Sequence, residues 1–178
     1  DFPFLIREDR GHGQPVIFVE SASQLAAVDL SLFRSPIAVE FIDTRSPKDG
    51  LFRKYRYVAA GEFGCPRHLI VNKEWEVRPK RRLASADFHR EELDYIQSPD
   101  PNHSQLQAAR KAFGLDVLGF DYSYDQQGRV VVWEANPFLN LNYPESANHI
   151  GFAVRRSFAL VARLYCDRGG LPVPDRVM

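Results

Sequence analysis

The chain has 178 residues, 44% of them apolar and 26% charged, and its 23 basic and 23 acidic side chains leave no net charge at pH 7. That is the composition of an ordinary globular protein of one domain or two small lobes, with no basic field to draw nucleic acid and no apolar run of membrane-spanning length. Cys65 and Cys166 match no metal or redox spacing, so the expected setting is cytoplasmic, with neither nucleic acid nor membrane as partner.

The chain opens on Asp1, and its one methionine is Met178. It reads as a piece of a longer protein, whose other domains would be partners. Phe4 to Arg7 is strand-like. A polar loop, Glu8 to Pro15, leads to a second strand, Val16 to Glu20. Ser21-Ala22-Ser23 offers caps for a short helix through Leu32 or Phe33, and Pro36 breaks it. Ile37 to Ile42 is a short apolar strand that contains Glu40, and Asp43 to Gly50 is a loop. Phe52–Ala60, Arg67–Asn72 and Trp75–Arg78 read as an antiparallel meander, turning at Glu62–Pro66 and Asn72–Glu74. Phe88 to Ile96 is helical. His103 to Phe113 is too, with Asn102 as cap and Gly114 as stop. Two further strands follow. A last helix, Ser146 to Cys166, carries Ile150, Val154, Phe158 and Val161 at helical spacing and ends by Gly169-Gly170. The order β-β-α-β-β-β-β-α-α-β-β-α predicts an α+β fold of mainly antiparallel sheet with flanking helices.

The late strand pair carries the chemistry. Val117 to Tyr124 and Arg129 to Ala135 alternate, and Asp125-Gln126-Gln127-Gly128 between them has turn chemistry. With Gln127-Gly128 at the centre of the turn, Asp121 lies opposite Glu134, and Asn136 continues the Glu134 row. The other face carries Phe120, Tyr122, Tyr124, Val131, Trp133 and Ala135, an apolar set expected in the core. Facing carboxylates repel and call for a cation. Oxygen ligands from Asp, Glu and Asn suit Mg²⁺. The spacing fits equally well the solvated face of an edge hairpin.

Glu134-Ala135-Asn136-Pro137, preceded by Leu118-Gly119-Phe120-Asp121, resembles the Glu-x-Asn-Pro signature and Gly-x-Asp strand of the ATP-grasp superfamily. The resemblance implies an ATP-grasp-like fold of two small lobes. Residues 1–36 would be the remnant of the nucleotide-loop lobe, and 37–178 the C-terminal lobe with the metal-binding hairpin and last helix. It implies Mg²⁺ on Asp121, Glu134 and Asn136. Phe4-Leu5-Ile6-Arg7 and the loop with Gly11, His12 and Gly13 resemble the family's strand and phosphate-covering loop, with Arg7 where Lys is usual and Glu8 where Pro is common. Glu40-Phe41-Ile42 resembles the segment whose main chain meets adenine and whose carboxylate takes the ribose. Lys54 and Arg56 resemble basic strand positions that reach phosphate or substrate, and Arg67 is similar to another basic position.

The implied function is that of an ATP- and Mg²⁺-dependent carboxylate–amine (or related) ligase acting through an acyl phosphate. Its partners would be ATP and a small-molecule carboxylate or amine, with Arg7, Lys54 and Arg56 as catalytic cations. The alternative is a catalytically inactive nucleotide-binding or protein-interaction module of the same fold. No side-chain nucleophile stands out, in keeping with either. The run Arg78-Pro79-Lys80-Arg81-Arg82 reads as solvated surface or as a patch near an acidic substrate. His68 reads as packed, and Asn140 and Asn142 as turn residues or substrate contacts.

Overall fold

The computed structural model of the chain describes residues 1–9, 15–139 and 149–174. It divides into two units, Asp1–Asp43 and Thr44–Met178. The division falls after the third strand, which pairs within the first unit.

In the first unit β1 (Phe4–Glu8) lies between β2 (Val16–Val19) and β3 (Pro36–Glu40), antiparallel to both. Ile6, Val19 and Phe33 form its core. The predicted helix is shorter. α1 (Ala22–Ala26), capped by Ser21, stops before Asp29, whose carboxylate takes the Ser31 N–H and restarts the chain as one 3-10 turn, Leu30–Leu32. The Glu8 carboxylate accepts the Arg34 and Ser35 N–H groups at 2.8 and 2.7 Å. Glu8 thus anchors the segment entering β3.

The second unit has the strand order β5-β4-β6-β7, from β4 (Phe52–Ala60), β5 (Phe63–Asn72), β6 (Val117–Tyr124) and β7 (Val130–Asn136), all antiparallel. Its helices are α2 (Ala86–Gln97), α3 (His103–Ala112) and α4 (Gly151–Gly169). Alternation sends Tyr57 and Ala59 of β4 and Leu118, Phe120 and Tyr122 of β6 to one face, where Leu106 of α3 covers them. The phenols are satisfied: buried Tyr57 pairs with His103 Nδ1 at 2.6 Å, and the hydroxyls of buried Tyr122 and half-buried Tyr95 donate to Asp100 at 2.8 and 3.1 Å. α2 is tied to β5 by Glu92. Its fully buried carboxylate accepts the Leu69 N–H at 3.1 Å, meets Arg82 at 2.7 Å and pairs with His149 at 2.7 Å.

Two expectations about the meander change. The first turn tightens to Gly61-Glu62, with Gly61 at φ +56°, so Pro66 falls inside β5. Pro66 has no N–H to give, which an edge strand tolerates beside a bulge. Trp75–Arg78 is not a strand. The Asn72 amide donates to the Arg78 carbonyl at 3.2 Å, Leu83 takes the Val71 carbonyl, and Pro79 opens a 3-10 turn, Pro79–Arg81. The last helix ends as expected, with Gly170 at φ +61° and its closing N–H bonds to Asp167 and Cys166. Its predicted first residues, 146–148, lie outside the described residues. Among the described residues no helix is long and apolar enough to cross a membrane.

Gly64 packs against the Tyr57 ring. A Cβ there would overlap the phenol, which is buried and fixed by His103. Gly64→Ala is expected to lower stability by about 1–3 kcal/mol, seen as a lower urea midpoint with unchanged slope.

Candidate functional site

The β6–β7 hairpin brings Asp121 opposite Glu134, by a route that simple alternation does not give. The Asp125 carboxylate holds the Gln127 and Arg129 N–H groups at 2.9 and 2.8 Å, and Gly128 adopts φ +76°. The turn therefore pairs Tyr124 with Val130, one residue off the two-residue turn. A bulge then restores the count. Tyr122 faces Val132, Asp121 faces Glu134, and Trp133 is the extra residue between. The bulge also reverses the expected facing of the near half of β7. Val130, not Val131, joins Ala135 against the core, and Trp133 is 39% exposed and not inward. Asn136 lies opposite Gly119.

β4 supplies the countercharge. Arg56 is directly opposite Asp121, and Lys54, two residues earlier, shares its face. Asp121 is 5% exposed, with Arg56 Nη1 on one oxygen at 2.6 Å and Lys54 Nζ on the other at 3.0 Å. Burial pushes its pKa up, but Arg56 and Lys54 together outweigh it and hold the carboxyl below its ordinary value. Gly119 makes room: a Cβ there would overlap Leu139 and approach Arg56 Nη2 to 3.2 Å. On β7, Glu134 Oε1 accepts from Asn136 Nδ2 at 2.9 Å, and Asn136 Oδ1 accepts the Phe138 N–H at 2.7 Å.

β5 adds two residues. His68 faces Arg56, and burial, helped by the nearby cations Arg67, Arg56 and Lys54, pushes its imidazole down to about 3. The unfolded chain takes up that proton below about pH 6.5, whereas the fold does not until far lower. Stability contributed by neutral His68 is therefore lost as the pH falls through that window. The Tm of His68→Gln is expected to drop less between pH 7 and pH 5 than that of the wild type. Arg67 is the extra residue of a second bulge, between the pairs Arg56–His68 and Tyr57–Pro66, and is 7% exposed.

The other predicted site residues lie in the first unit or outside the described residues. Arg7 is exposed on β1 and donates to the Glu8 carbonyl at 3.1 Å. Glu40 is exposed at the end of β3, the Phe41 ring meets Phe18 edge-on at 4.8 Å, and Ile42 is exposed. Gly11, His12, Gly13, Asn140 and Asn142 lie outside the described residues. In the basic run, Arg78 and Arg81 pair with Glu76 and Glu74, but Arg82 turns in to buried Glu92.

No protein-family model matches the sequence, and the comparison with curated proteins returns no match. Solved structures do match. The ATP-grasp ligase PsnB, complexed with minimal precursor, Mg and ADP, aligns with a TM-score of 0.54 and 16% identity over 91% of this chain and 47% of its own. An ATP-grasp RimK domain protein from Sphaerobacter thermophilus aligns with a TM-score of 0.51 and 17% identity over 92% of this chain and 52% of its own. This chain has the ATP-grasp fold. At such identities the likeness is one of fold, and the chain spans about half the length of the structures it matches. On this ATP-grasp fold, Asp121, Glu134, Asn136, Lys54 and Arg56 occupy adjacent positions across three neighbouring strands.

Proposed function

We propose that the chain binds ATP with Mg²⁺ and forms the greater part of the catalytic lobe of an ATP-dependent carboxylate–amine ligase. The reading is carried by one observation: on an ATP-grasp fold, Asp121 faces Glu134, with Asn136 next in the row and Lys54 and Arg56 beside them. The similar ligase PsnB was solved with Mg and ADP.

The donor set fits the metal. Two carboxylates and an amide carbonyl are hard oxygen ligands. Asn136 Oδ1 is already oriented by the Phe138 N–H, and its carbonyl keeps a second lone pair. Asp121, Glu134 and Asn136 would hold Mg²⁺, which would supply positive charge to offset the charge on the phosphates in the transfer. Lys54 and Arg56 would then exchange part of their hold on Asp121 for phosphate. Arg7 and the loop with Gly11, His12 and Gly13 are assigned to phosphate, and Glu40, Phe41 and Ile42 to the nucleoside, on the family resemblance. A substrate carboxylate would attack the γ-phosphorus, expelling ADP and leaving an acyl phosphate. An amine would then displace phosphate to form the amide and release a proton.

Both Asp121 oxygens are held by cations, and this favours a second reading, in which Asp121 is a structural hub and the fold binds no nucleotide. Calorimetry separates the two. The first predicts ATP binding that requires Mg²⁺ and is lost in Glu134→Ala; no binding by the wild-type chain would leave the second. Lys54→Ala is expected to weaken ATP by about tenfold, the worth of one charged hydrogen bond, while leaving AMP nearly unchanged. Equal losses for ATP and AMP would remove Lys54 from the phosphates.

A further inference from the structure

We infer that His89 and His149 form a binding site for a divalent transition-metal ion such as Zn²⁺, which clamps α2 to the start of α4. His89 lies on α2, and His149 stands just before α4. Ile96 of α2 packs with Ile150 and Ala153, so a common core holds the two elements together. Across that contact the two imidazole rings meet, with centroids 4.7 Å apart and planes at 37°. A zinc ion lies about 2.0–2.1 Å from each histidine nitrogen, and a tetrahedral angle at the metal then sets two ring centroids roughly 5 Å apart. The observed spacing is close to that.

Glu92 orients His149 for this role. An ionised carboxylate can only accept, so in the 2.7 Å contact His149 Nε2 carries the hydrogen, and in the neutral ring the lone pair falls on Nδ1. A carboxylate on the nitrogen opposite the metal is the usual orienting partner of a ligating histidine. Glu92 is fully buried and is itself fixed by the Leu69 N–H and by Arg82. His89, one turn earlier on the same face of α2, is exposed, and its ring makes no hydrogen bond among the described residues. Imidazole nitrogens suit zinc, copper or nickel, whereas Mg²⁺ takes oxygen ligands. No third His, Cys, Asp or Glu among the described residues completes the set, so water would fill the remaining positions. The site shares no residue with Asp121, Glu134 and Asn136 and does not depend on the ligase reading.

The test is calorimetric titration of the intact chain with Zn²⁺ in excess Mg²⁺, which occupies hard oxygen ligands and leaves imidazole free. The wild type is expected to bind one Zn²⁺. His89→Ala is expected to weaken it by about tenfold or more, since losing a ligand costs at least what losing an orienting partner does. Zn²⁺ is also expected to raise the wild-type Tm, because it joins two elements of the folded chain, and to leave the Tm of His89→Ala nearly unmoved. No Zn²⁺ binding by the wild type, or equal affinity and equal Tm gain in a folded His89→Ala, would overturn the inference. Should His89→Ala fail to fold, as judged by circular dichroism, proton NMR of the wild type decides. The ring resonances of His89 and His149 are expected to shift together up to one equivalent of Zn²⁺. Either ring staying in place would overturn the inference. Each of these failures would leave the ligase reading untouched.

Discussion

Asp121→Ala is expected to destabilise the second unit by about 3–5 kcal/mol and to abolish Mg²⁺-dependent nucleotide binding. The carboxylate is 5% exposed and is the shared counterion of Lys54 and Arg56. Removing it leaves two cations in a poorly solvated place with Arg67 close by, and that loss exceeds anything an exposed ion pair supplies. Asp121→Asn keeps the shape and removes the charge, so most of the loss should persist there. Denaturation in urea, read as a shift in midpoint, gives the magnitude. Because the folded Asp121 carboxyl lies below its ordinary value, the contribution is present at neutral pH and is lost as the pH falls through that depressed value. The wild-type and variant stabilities should therefore converge only in strong acid.

Glu92→Ala is expected to cost a similar amount, about 3–5 kcal/mol, with no direct effect on ligand chemistry. Glu92 is fully buried and joins α2 to the Leu69 N–H of β5, to Arg82 and to His149. Alanine orphans a buried backbone donor and strips the partner from a guanidinium. Glu92→Gln keeps an oxygen for one donor and should recover part of the loss. Thermal unfolding of the three proteins in parallel checks the order: wild type highest, Glu92→Gln next, Glu92→Ala lowest.

The elements legible in the sequence are those set by local pattern. β1 and β6 follow their alternation, α3 begins at His103 after Asn102, and Gly114 and Gly170 stop helices with positive φ. The bulges at Trp133 and Arg67 were not legible, because an inserted strand residue is chosen by the partner strand and has no local signature. Asp121 still met Glu134 because the three-residue turn and the bulge displace the register in opposite directions and cancel there. The same bulge is why Trp133, read as inward, is exposed.

Trp75–Arg78 had strand-like composition but lost the edge of β5 to Leu83 and to the Asn72 amide, a tertiary choice. Burial of Glu92 depends on Arg82 and His149, distant in sequence, so the helical pattern of α2 did not reveal it. Of the candidate site, the shared face of Lys54 and Arg56 was readable from alternation. Their joint grip on Asp121 was not, since it needs β4 and β6 to be neighbours.

In the proposed ligase, the Asp121, Glu134 and Asn136 oxygens would hold a metal–nucleotide complex. Mn²⁺ takes such oxygen ligands in place of Mg²⁺ and carries unpaired spins, so water-proton relaxation reports its immobilisation on the protein. Adding the wild-type chain to Mn²⁺–ATP is predicted to enhance relaxation, and adding folded Glu134→Gln to leave it near the protein-free value. Equal relaxation with the two proteins would contradict the account.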